Sequence, residues 1–194
     1  ILTGYSTFTI SRQMMRNDLE KRIIDIAAIG VQRLDADAHH SLISAAQETT
    51  DVYRTLKKIL QEIRDCDTDV QFVYTMRKTS DGLLVFVVDA EEDASQMSHI
   101  GDKYTEATPV MQGMFAHPVG PVCEPSFSTD EWGTWLSAYA PLWRGDTLEA
   151  ILGVDISAEQ IVKYERLHML LIAIASLFTM AVVMLIGLVI SRGI

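Results

Sequence analysis

The stretch VQFVYTMRKTSDGLLVFVVDA, residues 70–90, decides the fold of this chain. Its two halves are rich in β-branched and aromatic residues, which predicts two strands. The Asp81-Gly82 pair between them predicts a tight turn in which Gly82 takes a positive φ angle. The second half is apolar on both faces, so we expect this strand to lie centrally in a sheet that is covered on both sides.

Two helices are predicted before this hairpin. Apolar residues recur at spacings of three and four from Met15 to Leu34, which indicates one long helix over about residues 11–34. Thr50 is predicted to cap a second, shorter helix. The buried stripe of that helix is expected to consist of Val52, Leu56, Ile59, Leu60 and Ile63.

The segment between the two predicted helices is polar and contains residue types that bind metals, Asp35, Asp37, His39 and His40. However, adjacent histidines do not share one face of a helix, and no motif elsewhere in the sequence identifies a third metal ligand. A solvated loop is therefore the preferred interpretation. We expect neither a metal nor a cofactor.

The hairpin is followed by an irregular segment over residues 91–121, interrupted by a short helix predicted over 109–116. Long excursions inside a compact domain are usually functional. The sheet is expected to resume at 122–124 and to continue in two long strands over 131–143 and 148–156. Helices, a hairpin, an irregular insert and further strands in this order predict an α+β fold with an antiparallel sheet.

The last long apolar run extends from Met169 to Ile190 and contains neither a charged residue nor a proline. It is long enough for a transmembrane helix, because a hydrocarbon core of about 30 Å requires about 20 helical residues. The exit helix, residues 158–190, is predicted to begin at a capping box over 157–160 and to continue unbroken through the span. Residues 191–194 then begin a cytoplasmic linker.

The N-terminal residues 1–10 are moderately apolar and too short to span a bilayer alone. They are interpreted as the end of a first membrane helix, with a partly buried tail as the alternative. The chain begins with Ile rather than Met and stops just after the predicted span. We therefore expect a fragment, from which an output module, if the protein has one, has been removed.

Composition narrows the function classes. A formal net charge of −10 disfavours nucleic acid as a partner, since its binding requires a basic surface. The acidity and the size of the folded part favour a location outside the cytoplasm, on a cell (inner) membrane. Cys66 and Cys123 are interpreted as separate thiols, with a disulfide as the alternative. No nucleophile-elbow, zinc-protease or phosphate-binding motif is present in the sequence, so no enzyme activity is expected.

Five stretches, read in order, carry a family resemblance. They are Val73-Tyr-Thr-Met76, Phe86-Val-Val-Asp89, Gly101-Asp-Lys-Tyr104, Trp135-Leu-Ser-Ala-Tyr-Ala-Pro141 and Leu152-Gly-Val-Asp-Ile156. With them, and with a last strand that leads into a membrane span, the chain resembles the Cache family of extracytoplasmic PAS-like sensor domains, in a single-domain form. The resemblance covers about residues 11–194. Residues 190–194 are similar to the start of a HAMP signalling helix.

The resemblance implies that residues 11–157 are the ligand-sensing input domain of a receptor of the histidine kinase, chemoreceptor, cyclase or phosphatase type. Such domains bind small molecules, often amino acids, carboxylates or amines, between the sheet and its cover. In the amino-acid-binding members, an aromatic and a basic residue of the sheet, a tyrosine of the cover and an aspartate of the last strand hold the ligand. Here Asp155 and Tyr104 match by position, and Trp135 or Tyr139 is the aromatic residue. Arg77 is the candidate basic residue if its side chain faces the pocket.

Side-chain alternation gives an independent argument for a site. Trp135, Ser137 and Tyr139 share one face of a predicted strand and combine rings with hydroxyl groups, which is typical of small-molecule pockets. Tyr74 offers a ring and a hydroxyl from the hairpin.

Two aspartates, Asp89 and Asp155, end or interrupt apolar strands, where a carboxylate is costly unless it is paired or solvated. Each is therefore a candidate to bind a cationic group of a ligand. The predicted ligand-binding residues are Tyr74, Asp89, Tyr104, Trp135, Ser137, Tyr139 and Asp155.

Two alternatives to a sensor stay open from the sequence. A ligand-free dimerisation or spacer domain would use the stripe from Met15 to Leu34 as a homodimer interface, and a homodimer is expected for the sensor as well. A membrane-anchored enzyme is the weaker alternative. Its best candidate residues are Asp35, His39, His40 and His117.

Overall fold

An antiparallel sheet of seven strands forms the centre of a computed structural model of the chain. The structure describes the backbone of residues 2–130 and 133–192. Side chains are described for residues 10, 13–14, 16–129, 134–157 and 166–192. Residues 19–158 form one compact unit, and residues 1–18 and 159–194 form a second. The sheet belongs to the first unit, and each unit is considered by itself.

The strands in chain order are β1 (Val70–Lys78), β2 (Leu84–Asp89), β3 (Lys103–Tyr104), β4 (Val122–Cys123), β5 (Ser128–Asp130), β6 (Gly133–Arg144) and β7 (Thr147–Ser157). Their spatial order is β3-β2-β1-β7-β6-β4, and β5 pairs with β6. The predicted hairpin is confirmed as β1 and β2, and Gly82 has a φ of 87°. The last strand in the chain, β7, is thus central in the sheet, between β1 and β6.

The helices in chain order are α1 (Leu2–Val31), α2 (Ala36–His40), a 3₁₀ turn (Ala45–Thr49), α3 (Asp51–Arg64), α4 (Pro109–Ala116) and α5 (Ala158–Arg192). Thr50 caps α3 as predicted, and its hydroxyl accepts a hydrogen bond from the Tyr53 amide. The predicted stripe is wrong at Val52, which is 40% exposed, whereas Tyr53 is buried.

One face of the sheet is covered by helices. Gly30 of α1 packs so closely that an added Cβ would lie 3.0 Å from Ile63 of α3 and 3.2 Å from Leu152 of β7. The small side chains of Ala138 and Ala140 on β6 are fully buried on this face, where Ala140 pairs with Leu152. The opposite face is covered by α4 and by the irregular segment that follows β2, and it holds the candidate site.

The polar segment before α3 is a helix rather than the expected solvated loop. Asp35 caps α2 by accepting hydrogen bonds from the amides of Asp37 and Ala38. His39 is fully buried, and hydrogen bonds from its imidazole to groups of the sheet compensate for the lost contact with water. The solvated-loop prediction was wrong because these partners lie far away in the sequence.

The helix α5 follows β7 directly. Its part over Arg166–Arg192 is long and apolar enough to cross a membrane, and it is the one such helix within the residues described. The apolar side chains of this part are exposed, as at Phe178, with 71% exposure, and Leu185, with 63%. The predicted capping box over 157–160 and the interpretation of residues 1–10 involve side chains outside those described.

Candidate functional site

A small cavity of about 30 Å³, open to solvent at its mouth, lies on the face of the sheet opposite Gly30 of α1. Strands β1, β2, β3, β6 and β7 contribute seven of its lining residues, and the segment after β2 contributes two. The lining consists of Phe72, Tyr74, Phe86, Asp89, Gln96, Ser98, Tyr104, Trp135 and Asp155.

Strand register explains why these side chains meet. Asp155 of β7 pairs with Phe72 of β1, and Tyr74 of β1 pairs with Asp89 of β2. Paired residues of antiparallel strands point to the same face. A register shift after Thr75 makes Met76 the partner of Phe86. As a result, Phe86 and Asp89 face the same side although they are three residues apart.

Three ring contacts form the aromatic walls of the cavity. Phe72 contacts Trp135 edge-on, with ring centroids 4.9 Å apart. Phe86 contacts Tyr74 at 5.5 Å and Tyr104 at 5.9 Å, also edge-on. Such pairs are favourable by about 0.5–1.5 kcal/mol beyond the burial of their area. The rings therefore hold each other in place and leave their remaining edges and faces towards the cavity.

Asp155 provides a buried carboxylate in this aromatic surrounding. It is 4% exposed, and the Tyr74 hydroxyl donates a long hydrogen bond of 3.5 Å to its Oδ1. A carboxylate in such a place is costly unless opposite charge or hydrogen bonds compensate for the lost water. Asp155 is thus well placed to interact with a cationic group in the cavity.

Asp89 is the second buried carboxylate of the lining, with 6% exposure. Its Oδ2 accepts a hydrogen bond of 2.8 Å from the Ser98 amide, and its Oδ1 accepts one of 2.9 Å from the Glu91 amide. Burial raises the pKa of Asp89, although these amides and the charge of Lys57 oppose the rise. Asp89 therefore also shapes the segment that covers the cavity.

The structure brings five of the seven predicted site residues to this cavity: Tyr74, Asp89, Tyr104, Trp135 and Asp155. Whether they bind a ligand stays a prediction. The other two, Ser137 and Tyr139, lie on the same face of the sheet but are almost completely buried outside the lining, with 3% and 1% exposure.

Tyr139 lies in a polar cluster next to the cavity. Its hydroxyl lies next to the side chains of Glu124 and Ser137. Burial, together with the charges of Asp155 and Glu124, raises the pKa of Tyr139. The hydroxyl of Thr108, the cap of α4, donates a hydrogen bond to the Glu124 carboxylate. These contacts attach the start of α4 to the sheet, which explains why Tyr139 is not available to the cavity.

Four lining residues were not among the predicted ones. Phe72 could have been found, because it shares the face of Tyr74 by simple alternation. To predict that Phe86 lines the cavity, the register shift between β1 and β2 would have to be known. Gln96 and Ser98 lie in an irregular segment, which has no periodic signal that could assign a direction to its side chains.

Gly153 is a further residue on which the cavity depends. It is paired with Tyr74 on one side and with Tyr139 on the other. A Cβ at this position would lie 2.4 Å from Cε2 and 2.6 Å from Cζ of Tyr74. Only glycine therefore allows the Tyr74 ring to lie across β7 towards Asp155.

Gly153→Ala is expected to displace the Tyr74 ring and to weaken binding at the cavity at least tenfold. Overpacking of this kind costs about 1–3 kcal/mol, so a moderate loss of thermal stability should accompany it. Gly113→Ala in α4 is the matched control, since no atom lies within 4 Å of its added Cβ. Calorimetric titration of both variants checks this, and unchanged affinity in Gly153→Ala would contradict the assigned role of Tyr74.

Arg77 does not face the cavity, so it cannot serve as the basic residue implied by the family resemblance. Its guanidinium forms an ion pair with Glu149 and donates hydrogen bonds of 2.9 Å to the carbonyl oxygens of His39 and Leu42. Thr75, which neighbours Tyr74 in β1 and points the other way, is 2.9 Å from Nε2 of His39. Arg77 thus belongs to a polar cluster on the helix-covered face.

Glu149 is the centre of this cluster. Its Oε1 is 3.0 Å from Nδ1 of His39, and its Oε2 is 2.7 Å from Nδ1 of His40. Burial alone would raise the pKa of Glu149, but the bonds from His39, His40 and Arg77 hold it at about 2. Burial lowers the pKa of His39. Within the described part of the chain, no group of three or more His, Cys, Asp and Glu side chains is arranged to hold a metal ion.

Comparisons with known proteins identify the fold. No protein-family model matches the chain, and no curated protein matches its sequence. Among solved structures, the ligand-binding domain of the Campylobacter jejuni chemoreceptor Tlp3, in complex with L-norvaline, matches with a TM-score of 0.50 and 13% identity. The match covers 82% of this chain and 62% of that one.

The extracellular domain of vpHK1S-Z8, a protein assigned as a histidine kinase, matches with a TM-score of 0.51 and 7% identity. The match covers 82% of this chain and 58% of that one. The chain therefore spans about six tenths of the length of the domains it matches. At these identities the likeness establishes the fold, and the chain has the α+β, PAS-like fold of extracytoplasmic sensor domains, as its resemblance to the Cache family implies.

Proposed function

We propose that this chain is the ligand-sensing input region of a membrane-bound signal-transduction receptor. Residues 19–158 would bind a small molecule outside the cytoplasm, and α5 would carry the signal across the membrane. The fold supports this proposal, since structures with the same fold are described as ligand-binding and sensory domains. It also favours a binding function over catalysis.

The observation that carries the proposal is the position of Asp155. Its carboxylate lines the cavity, and β7, which ends two residues later, is followed immediately by α5. A ligand that binds two conformations of β7 with different affinity would shift the population between them. No linker separates β7 from α5, so such a shift would act directly on the start of the helix.

The apolar part of α5 supports the membrane location. Its length over Arg166–Arg192 suffices for a bilayer, and its exposed apolar surface would be unfavourable in water. A homodimer and a HAMP-like continuation after α5 remain part of the proposal.

Ligand binding is expected to raise the thermal stability of the chain. A ligand at 100 times its Kd should add about 2.7 kcal/mol, a shift of several degrees for a domain of this size. The measurement is a thermal-shift screen of the full chain in lipid nanodiscs against amino acids, carboxylates, amines and purines. A hit that binds Gly153→Ala as tightly as the wild type would contradict the assigned cavity. A folded chain with no hit, and with no carried ligand found by mass spectrometry, would favour the spacer function.

A further inference from the structure

The described lining of the cavity contains negative but no positive charge. Asp89 and Asp155 carry carboxylates, and none of the other seven lining residues that the structure describes is charged. Both carboxylates are more than nine-tenths buried. A cation that enters the cavity would therefore find partners, whereas an anion would meet like charge at short range.

Two basic residues near the strands of this cavity, among those that the structure describes, are engaged in other contacts. Arg77 lies on the opposite face of the sheet and is bound to Glu149. Lys57 lies close enough to Asp89 to influence it, but its ammonium donates to the Glu91 carbonyl oxygen at 2.6 Å and contacts Met97 Sδ at 3.0 Å. Neither residue is part of the cavity lining.

The rest of the lining also suits a cation. Five of the nine lining residues are aromatic, namely Phe72, Tyr74, Phe86, Tyr104 and Trp135. Aromatic faces attract ammonium and quaternary ammonium groups, and more strongly when water is excluded. Gln96 and Ser98 add neutral hydrogen-bonding groups, which can bind a hydroxyl or amide of the ligand.

We propose that the cavity takes an organic ammonium or quaternary ammonium ligand without a carboxylate, and that it prefers an amine to the corresponding amino acid. The ammonium lies between Asp155 and the aromatic walls, and the apolar remainder of the ligand packs on Phe72 and Phe86. This inference rests on the proposed sensing function and narrows it to one ligand class. It departs from the amino-acid pattern of the family resemblance, because the basic residue of that pattern is missing from this cavity.

The test compares matched compounds by calorimetric titration of the full chain in nanodiscs. Each set contains an amine, its amino acid and its carboxylate: isoamylamine, leucine and isocaproate in one, and phenethylamine, phenylalanine and hydrocinnamate in the other. Choline is compared with glycine betaine and with its uncharged carbon isostere. In at least one set, the carboxylate-free cation is expected to bind at least tenfold more tightly than every other member.

Asp155→Asn is expected to remove this preference, whereas Asp146→Asn in the exposed β6–β7 turn should retain it. The comparisons within the three sets need no variant, so they decide the point even if Asp155→Asn fails to fold. Equal or tighter binding of an amino acid or a carboxylate would overturn the ligand class and leave sensing intact, as would hits among purines alone. Absence of binding by every compound of the wider screen, in a folded chain that carries no ligand by mass spectrometry, would overturn both.

Discussion

Glu149→Ala is expected to lower the free energy of unfolding of residues 19–158 by about 3 kcal/mol, the lower end of the range for breaking a buried ion pair. The reason is that Arg77 and His39, which are both largely buried, would lose their shared acceptor, and the half-exposed His40 would lose the same partner. The expected fall in Tm is on the order of 10 °C. Thermal unfolding of the full chain in detergent, followed by tryptophan fluorescence, measures it.

Glu62→Ala is the matched control for this experiment. Glu62 also forms an ion pair, with Arg33, but both side chains are more than two-fifths exposed. Exposed pairs contribute about 0–1 kcal/mol, so Tm should fall by a few degrees at most. An equal fall in both variants would mean that the Glu149 cluster does not stabilise the fold beyond an ordinary surface pair.

The stability difference between the wild type and Glu149→Ala is expected to depend on pH, with a defined sign. The pKa of Glu149 is held at about 2 in the folded chain, below the 4.5 of an unperturbed glutamate. The folded state therefore binds fewer protons, and the stabilisation is fully present above pH 4.5 and is lost as the pH falls towards 2. The stability difference between the wild type and Glu149→Ala should shrink over this window. A difference that grows on acidification would contradict the assignment.

Asp155→Ala is expected to weaken ligand binding about 30-fold or more, because the ligand's charged group would lose a buried partner, which typically costs 2–5 kcal/mol. The fold should persist, since a buried carboxylate is removed rather than introduced. Calorimetric titration with a ligand from the screen, together with Tm, measures both effects. Loss of folding would make Asp155 a structural residue.

Asp146→Ala serves as the control, because it removes a carboxylate from the same hairpin at an exposed turn. Its affinity should stay within about twofold of the wild type, because charges more than a Debye length of about 8 Å apart are largely screened. A comparable loss in both variants would point to a general effect of net charge, and the position of Asp155 in the cavity would then not matter.

Local sequence patterns were sufficient for most of the fold. The β-branched runs on either side of Gly82 predicted β1 and β2, and the Thr50 cap predicted the start of α3. Alternation placed Trp135, Ser137 and Tyr139 on one face, which they share in the structure. Alternation could not show which positions along the strand line the cavity. The predicted set therefore included Tyr139 and Ser137, which are buried beside Glu124 outside the lining.

The remaining features depend on contacts between distant parts of the chain. His39 and Glu149 are 110 residues apart, so nothing in the local sequence marked this histidine as buried. The register shift that turns Phe86 towards Asp89 is a property of two paired strands rather than of either one. Gly153 was noted as part of a motif, but its reason, the ring of Tyr74 above it, became visible only in three dimensions.

Hydrogen exchange of the full chain, with and without a ligand from the screen, tests the central claim most directly. If the ligand binds in the cavity, hydrogen exchange should slow in the cover segment, residues 91–104. The amides of Glu91 and Ser98 in this segment donate hydrogen bonds to the Asp89 carboxylate. Protection confined to the polar surface depression lined by Arg64, Thr68 and Gln71, with no change over 91–104, would contradict the account.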